Sequence, residues 1–126
     1  MLRPPDTLIV CPVMNAASSL AKNATVTTPS GGYALITAPI SGGFGLTLSG
    51  GQTVLAHSSN SYSGATTVSS GTLQIGNATT TGSLGTGAVT NNAALTFNRS
   101  NSMIVGNAIA GTGSVNQIGT GTTTLT

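Results

Sequence analysis

Charge is nearly missing from this chain. Four charged residues occur in 126, and residues 23–126 hold one of them, Arg99. The same stretch has no acid, no Cys and no Trp, and its single His is His57. Enzymes draw on acids, bases, thiols and bound metals, and those groups are nearly absent here. The composition therefore predicts a chain that is not an enzyme, with no catalytic residue, no cofactor and no metal site. Lone Lys22 and Arg99 make no phosphate-binding patch, and two Tyr and two Phe make no stacking platform, so nucleic acid is not expected as a partner. No run reaches the roughly 18 apolar residues of a transmembrane helix. One Cys, Cys11, excludes an internal disulfide and reads as a small core residue.

Thr, Ser, Asn and Gly fill the gap. They number 22, 15, 10 and 18, just over half of the chain. Disorder calls for few apolar residues and high net charge, whereas here the apolar fraction is 38% and the net charge +2. Thr and Val favour strands; Gly and Asn favour tight turns. Short β-type runs recur: LTL (46–48), TVLA (53–56), ATTV (65–68), TLQI (72–75), ALTF (94–97), MIV (103–105) and TTTL (122–125). Leu73 and Ile75 fall on one face with Thr72 and Gln74 on the other, and Leu95 and Phe97 alternate around Thr96. An ungapped self-alignment places residues 20–57 on residues 89–126, an offset of 69, matching Val26 with Leu95, Leu46 with Val115 and His57 with Thr126. Closely spaced strands fit a sandwich, a barrel or a solenoid. The internal repeat and the lack of charge favour the solenoid, because a stacked column of Lys or Glu would repel itself. Coils of roughly 20 residues would give five or six layers, with Leu73, Ile75, Leu95, Phe97 and Ile109 inside.

Residues Gly43–Asn77, GFGLTLSGGQTVLAHSSNSYSGATTVSSGTLQIGN, resemble the autotransporter-associated β-strand repeat, most specifically over NSYSGATTVSSGTLQIGN (60–77). Residues 82–101 and 106–126 are similar to the stretch C-terminal to that repeat in such proteins. The resemblance implies a right-handed parallel β-helix, displayed on a bacterial cell surface or released from it as an adhesin passenger. It implies a scaffold without catalytic residues. The chain carries no outer-membrane barrel strands after the repeat and stops in mid-repeat, so it reads as a fragment or as a small protein made from repeat material, rather than as a complete autotransporter. Residues 22–126 form the solenoid; residues 1–21 stand apart. Two readings of residues 1–21 remain open. One is a weak secretory signal, with Arg3 as the basic end and Ser19-Leu20-Ala21 as the cleavage site. The other is a degenerate first coil, since DTLIVC (6–11) resembles GTLQIG (71–76).

Single residues fit ordinary roles. His57 has no carboxylate or second ligand within the repeat and reads as surface decoration. Arg99, in NRSN, reads as a solvated turn residue or a partner contact. GTGSVNQIG (111–119) has no Lys after it and is no phosphate loop. Carboxylates for glycoside hydrolysis or calcium are lacking beyond Asp6. Two other functions compete with the structural stalk. A Thr-rich face could bind glycan or ice, and ice binding needs Thr-x-Thr on consecutive coils in one column. The evident clusters, Thr66-Thr67, Thr79–Thr81 and Thr122–Thr124, are unevenly spaced. A self-assembling fibre is the other, joined end to end through open β-helix edges that carry no charged cap.

Overall fold

The computed structural model describes residues 23–126. Twelve strands succeed one another without a helix among the described residues: β1 (Asn23–Thr27), β2 (Tyr33–Ile36), β3 (Gly45–Ser49), β4 (Gln52–Leu55), β5 (Thr66–Val68), β6 (Thr72–Thr79), β7 (Val89–Asn91), β8 (Ala94–Arg99), β9 (Met103–Val105), β10 (Ile109–Ala110), β11 (Ser114–Gln117) and β12 (Thr123–Leu125). Every run expected to be a strand lies wholly or largely in one. The two readings of residues 1–21, and Cys11 with them, fall outside the described residues.

Pairing is parallel throughout and connects strands one coil apart. One sheet has the order β1-β3-β5-β7-β10, a second β2-β4-β6-β8-β11, and β9 pairs with β12 on a third side. This is a β-solenoid of about five turns. Partners such as Tyr33↔Gln52, Leu46↔Thr66 and Thr66↔Val89 set a coil of 19–23 residues. The 69-residue offset is not this stacking period: Leu46 stands in β3 of the first sheet and Val115 in β11 of the second. The offset therefore aligns one face of the coil with another.

The interior is built of columns. In the second sheet Ala34, Thr53, Leu73 and Leu95 stack in register, as do Ile36, Leu55, Ile75 and Phe97. Leu46 and Leu48, Val68 and Val89 face them from the first sheet, and Ile40, Phe44, Tyr62, Leu84 and Val105 complete the core. Leu73, Ile75, Leu95 and Phe97 are buried as expected, whereas Ile109, in the last coil, is only partly buried against the core. Leu73 sits in mid-stack at 0% exposure. Leu73→Ala should therefore cost about 2–5 kcal/mol, as truncations in close-packed cores do. Urea unfolding monitored by circular dichroism measures it, and a loss below about 1 kcal/mol would mean that the coils close over the gap.

Polar side chains off the core columns also join coil to coil. Gln52 donates through Nε2 to Gln74 Oε1 at 2.8 Å, and Gln74 donates to Gly76 O at 2.8 Å. Gln74 does lie on the face opposite Leu73 and Ile75, yet it is buried and hydrogen-bonded rather than solvated. Among the described residues no buried side-chain polar atom lacks a partner.

Candidate functional site

Three places hold the residues with chemical potential. The first is the connection after β4. His57 is half-buried, and its Nδ1 accepts the Ser59 N–H at 3.0 Å. The His57 carbonyl accepts from Asn60 Nδ2 at 3.3 Å and from Ser83 Oγ at 3.1 Å. Asn60 is buried, donates also to Ser83 O and accepts Ile40 N–H at 2.9 Å. It thus ties three successive coils together through its amide. The geometry fixes backbone, and no acidic side chain stands among the described residues to orient the imidazole. Among the described residues no three His, Cys, Asp or Glu side chains converge.

Next to it lies Tyr62, fully buried and stacked on Phe44 with ring centroids 6.3 Å apart and planes 7° from parallel. Its hydroxyl meets Thr66 Oγ1 at 2.7 Å. Burial pushes the phenol above its ordinary 10.0, against hydrogen bonds from Thr66 and the Gly85 backbone that pull it down. A folded value raised above the unfolded one gives stability that is complete below the unfolded value and lost as pH climbs through the folded one. The protein should accordingly lose stability above about pH 10, the ordinary phenol value. Tyr62→Phe should flatten that alkaline limb at a cost of about 1 kcal/mol near neutrality for the lost hydrogen bond. Melting temperatures between pH 8 and 12 decide; parallel alkaline limbs would remove Tyr62 as the cause.

The second place is a protrusion after Ile75. Here β6 slips register against β8 between Ile75 and Thr79, and Asn77 to Thr81 are exposed. Arg99 holds it. Its Nη1 donates to Gly82 O at 2.8 Å, its Nη2 to Thr80 O at 2.7 Å and its Nε to Asn101 Oδ1 at 3.0 Å. The expectation of a solvated turn residue is corrected: Arg99 ends β8, is half-buried and gives its donors to the carbonyls of Thr80 and Gly82, just past the end of β6, and to the Asn101 side chain.

The outer face of the first sheet is the third. Along β1, Ala24 and Val26 turn inward while Thr25 and Thr27 are exposed. The same alternation continues in β3, β5 and β7, where Leu46 and Leu48, Thr66 and Val68, and Val89 and Asn91 are buried. The register Thr25↔Thr47, Thr47↔Thr67 and Thr67↔Thr90 then sets four threonines in one outward column over consecutive coils. Thr27↔Ser49 starts a second column. Bonds from Ser69 N to Leu48 O and from Asn92 N to Val68 O carry it on through Ser69 and Asn92. Thr-x-Thr, Thr-x-Ser, Thr-x-Ser and Thr-x-Asn therefore stack coil on coil. The sequence clusters pointed elsewhere. Thr66 of the first cluster is interior, Thr79–Thr81 lie at the protrusion, and Thr123 and Thr124 stand in β12.

The last coil ends in a hollow of about 310 Å³ lined by Phe97, Val115, Gln117 and Leu125 among others. No helix among the described residues is long and apolar enough to cross a membrane, which does not bear on barrel-type spans.

Against known families, residues 45–75 match the model of the passenger-associated-transport-repeat. The matched stretch runs from β3 through Ile75 of β6, about one and a half coils, and lies within the residues that resembled a passenger repeat. No curated protein and no solved structure matches the chain.

Proposed function

We propose that the chain is a non-catalytic structural segment of an autotransporter-like adhesin passenger, displayed on a bacterial surface or secreted. The repeat match over residues 45–75 carries this reading, because it falls on residues that build the stack, among them Leu46, Leu48, Leu55, Leu73 and Ile75. As a stalk, the solenoid extends by adding coils, each about 4.8 Å from the last, and resists proteolysis because its backbone is bonded on both sides. Contacts with a host surface or glycan fall to protruding segments, residues 77–81 foremost. The lack of an enzymatic role rests on the inventory of the whole chain, with Asp6 its one acid and His57 its one imidazole. The chain fused ahead of an outer-membrane β-barrel should reach the surface of a Gram-negative cell and be cleaved there by added protease only slowly. Retention inside the cell, where a known passenger fragment of equal length is exported, would overturn the reading.

A fibre subunit is the second reading, favoured by one observation: Val115, Ile118 and Leu125 near the end of the stack are 45%, 61% and 51% exposed.

A further inference from the structure

We propose that the outer face of the first sheet is a binding surface for crystalline water, that is, for ice. Eight side chains form it, Thr25, Thr27, Thr47, Ser49, Thr67, Ser69, Thr90 and Asn92, two from each of four consecutive coils. Coil spacing sets hydroxyl-bearing side chains about 4.8 Å apart along the column, and the two-residue repeat sets the columns about 6.6 Å apart along the strand. The ladder shows no register shift through β1, β3, β5 and β7. A parallel stack in strict register is the setting in which side-chain ladders hold a sheet flat. Neighbouring hydroxyls also fix one another, as Thr27 Oγ1 and Ser49 Oγ do at 3.4 Å.

The chemistry of the face selects the occupant. It carries no charge, so no ion holds a competing hydration shell against a lattice of water. It carries no aromatic ring, the platform on which a sugar would stack. Each Thr offers a hydroxyl to join the lattice and a methyl that excludes disordered water. The second sheet offers no such face: its columns off the core run Tyr33, Gln52, Thr72, Ala94 and Leu35, Val54, Gln74, Thr96, and Val54, Gln74 and Thr96 are buried. The proposal stands on this register and does not depend on the passenger reading.

Slow growth of polycrystalline ice from a solution of the chain tests it. The chain should be enriched in the ice fraction relative to an inert globular protein. Thr67→Lys, an outward change in mid-column, should lose that enrichment, while Tyr33→Lys on the other sheet keeps it. Circular dichroism checks that both variants fold. If Thr67→Lys does not, Thr67→Val takes its place, since it keeps strand preference and removes only the hydroxyl; it should lose much of the enrichment. Exclusion of the wild-type chain from ice overturns the proposal, and so does unchanged enrichment of the Thr67 variant. Retention on a crystalline polysaccharide without uptake into ice would reassign the face to a sugar. A dimer broken by Thr67→Lys, again without uptake into ice, would reassign it to a second copy.

Discussion

Gly50→Ala should unfold the protein or come close to it, while Gly43→Ala in the same coil should be tolerated. Gly50 makes the corner between β3 and β4 at φ +102°, a backbone region that L residues rarely adopt. A Cβ there would fall inside the Thr28 carbonyl of the coil below. The strained backbone costs about 1–3 kcal/mol, and forcing two packed coils apart costs about 1–3 kcal/mol more. Together these come to about 2–6 kcal/mol, which reaches the lower end of the about 5–15 kcal/mol that holds a small domain folded. At Gly43 the φ is ordinary and an added Cβ meets nothing within 4 Å, so the change should stay within about 0.5 kcal/mol of wild type. Gly31 separates the two causes: its φ is +79° but the space is open, so Gly31→Ala should show backbone strain alone. Chemical unfolding of the three variants measures the ranking Gly43, Gly31, Gly50. Equal losses at Gly31 and Gly50 would show that coil contact contributes nothing.

Coil stacking also explains which parts of the fold were legible in the sequence. β6 and β8 carry alternating Leu, Ile and Phe, and their inward residues can be read directly. β7 could not be read so: it has three residues, Val89–Asn91, and one of its two inward side chains is Asn91. That amide is satisfied by Ser114 O at 2.7 Å and Ala93 N–H at 3.2 Å, partners supplied only by the turn and the next coil. β11, with one apolar residue in SVNQ, is hidden for the same reason. The 69-residue self-similarity was real as text but crosses from one sheet to another, because coils of unequal length let an alignment keep apolar spacing without keeping the face.

The outward threonines teach a sharper lesson. Runs such as Thr66-Thr67 attract the eye, yet in a strand adjacent residues face opposite ways, so a run contributes one member to any face. Thr66 is buried against Tyr62 and Thr67 alone joins the column. The informative pattern was one Thr per coil at separations near 20 residues, with an apolar neighbour on at least one side. Arg99 is hard to read from residue order because its partners, the carbonyls of Thr80 and Gly82, lie 19 and 17 residues before it and come beside it only when β6 stacks on β8.

Residues 1–126 prepared as an isolated chain should also associate end to end as the concentration rises. Among the described residues, β10, β11 and β12 have no strand beyond them, so their outer edges present unpaired N–H and C=O groups. The interior columns emerge there as Val115 and Leu125, about half exposed around the 310 Å³ hollow. Residues 114–126 contain no Lys, Glu or Pro to discourage a neighbour. A coil of a second copy would continue the parallel ladder and cover the apolar end in one step. Hydrogen bonds and apolar burial would drive this, so added salt should change it little. Sedimentation velocity should show larger species growing with concentration. The pair Val115→Lys and Leu125→Lys should suppress them, since each further coil would bury two ammonium groups against the core. Circular dichroism of the double variant should stay β-type, because both side chains lie at the end of the stack and not within it. A monomer at high micromolar concentration, or undiminished association of the double variant, would refute the argument and remove the observation that favours a fibre.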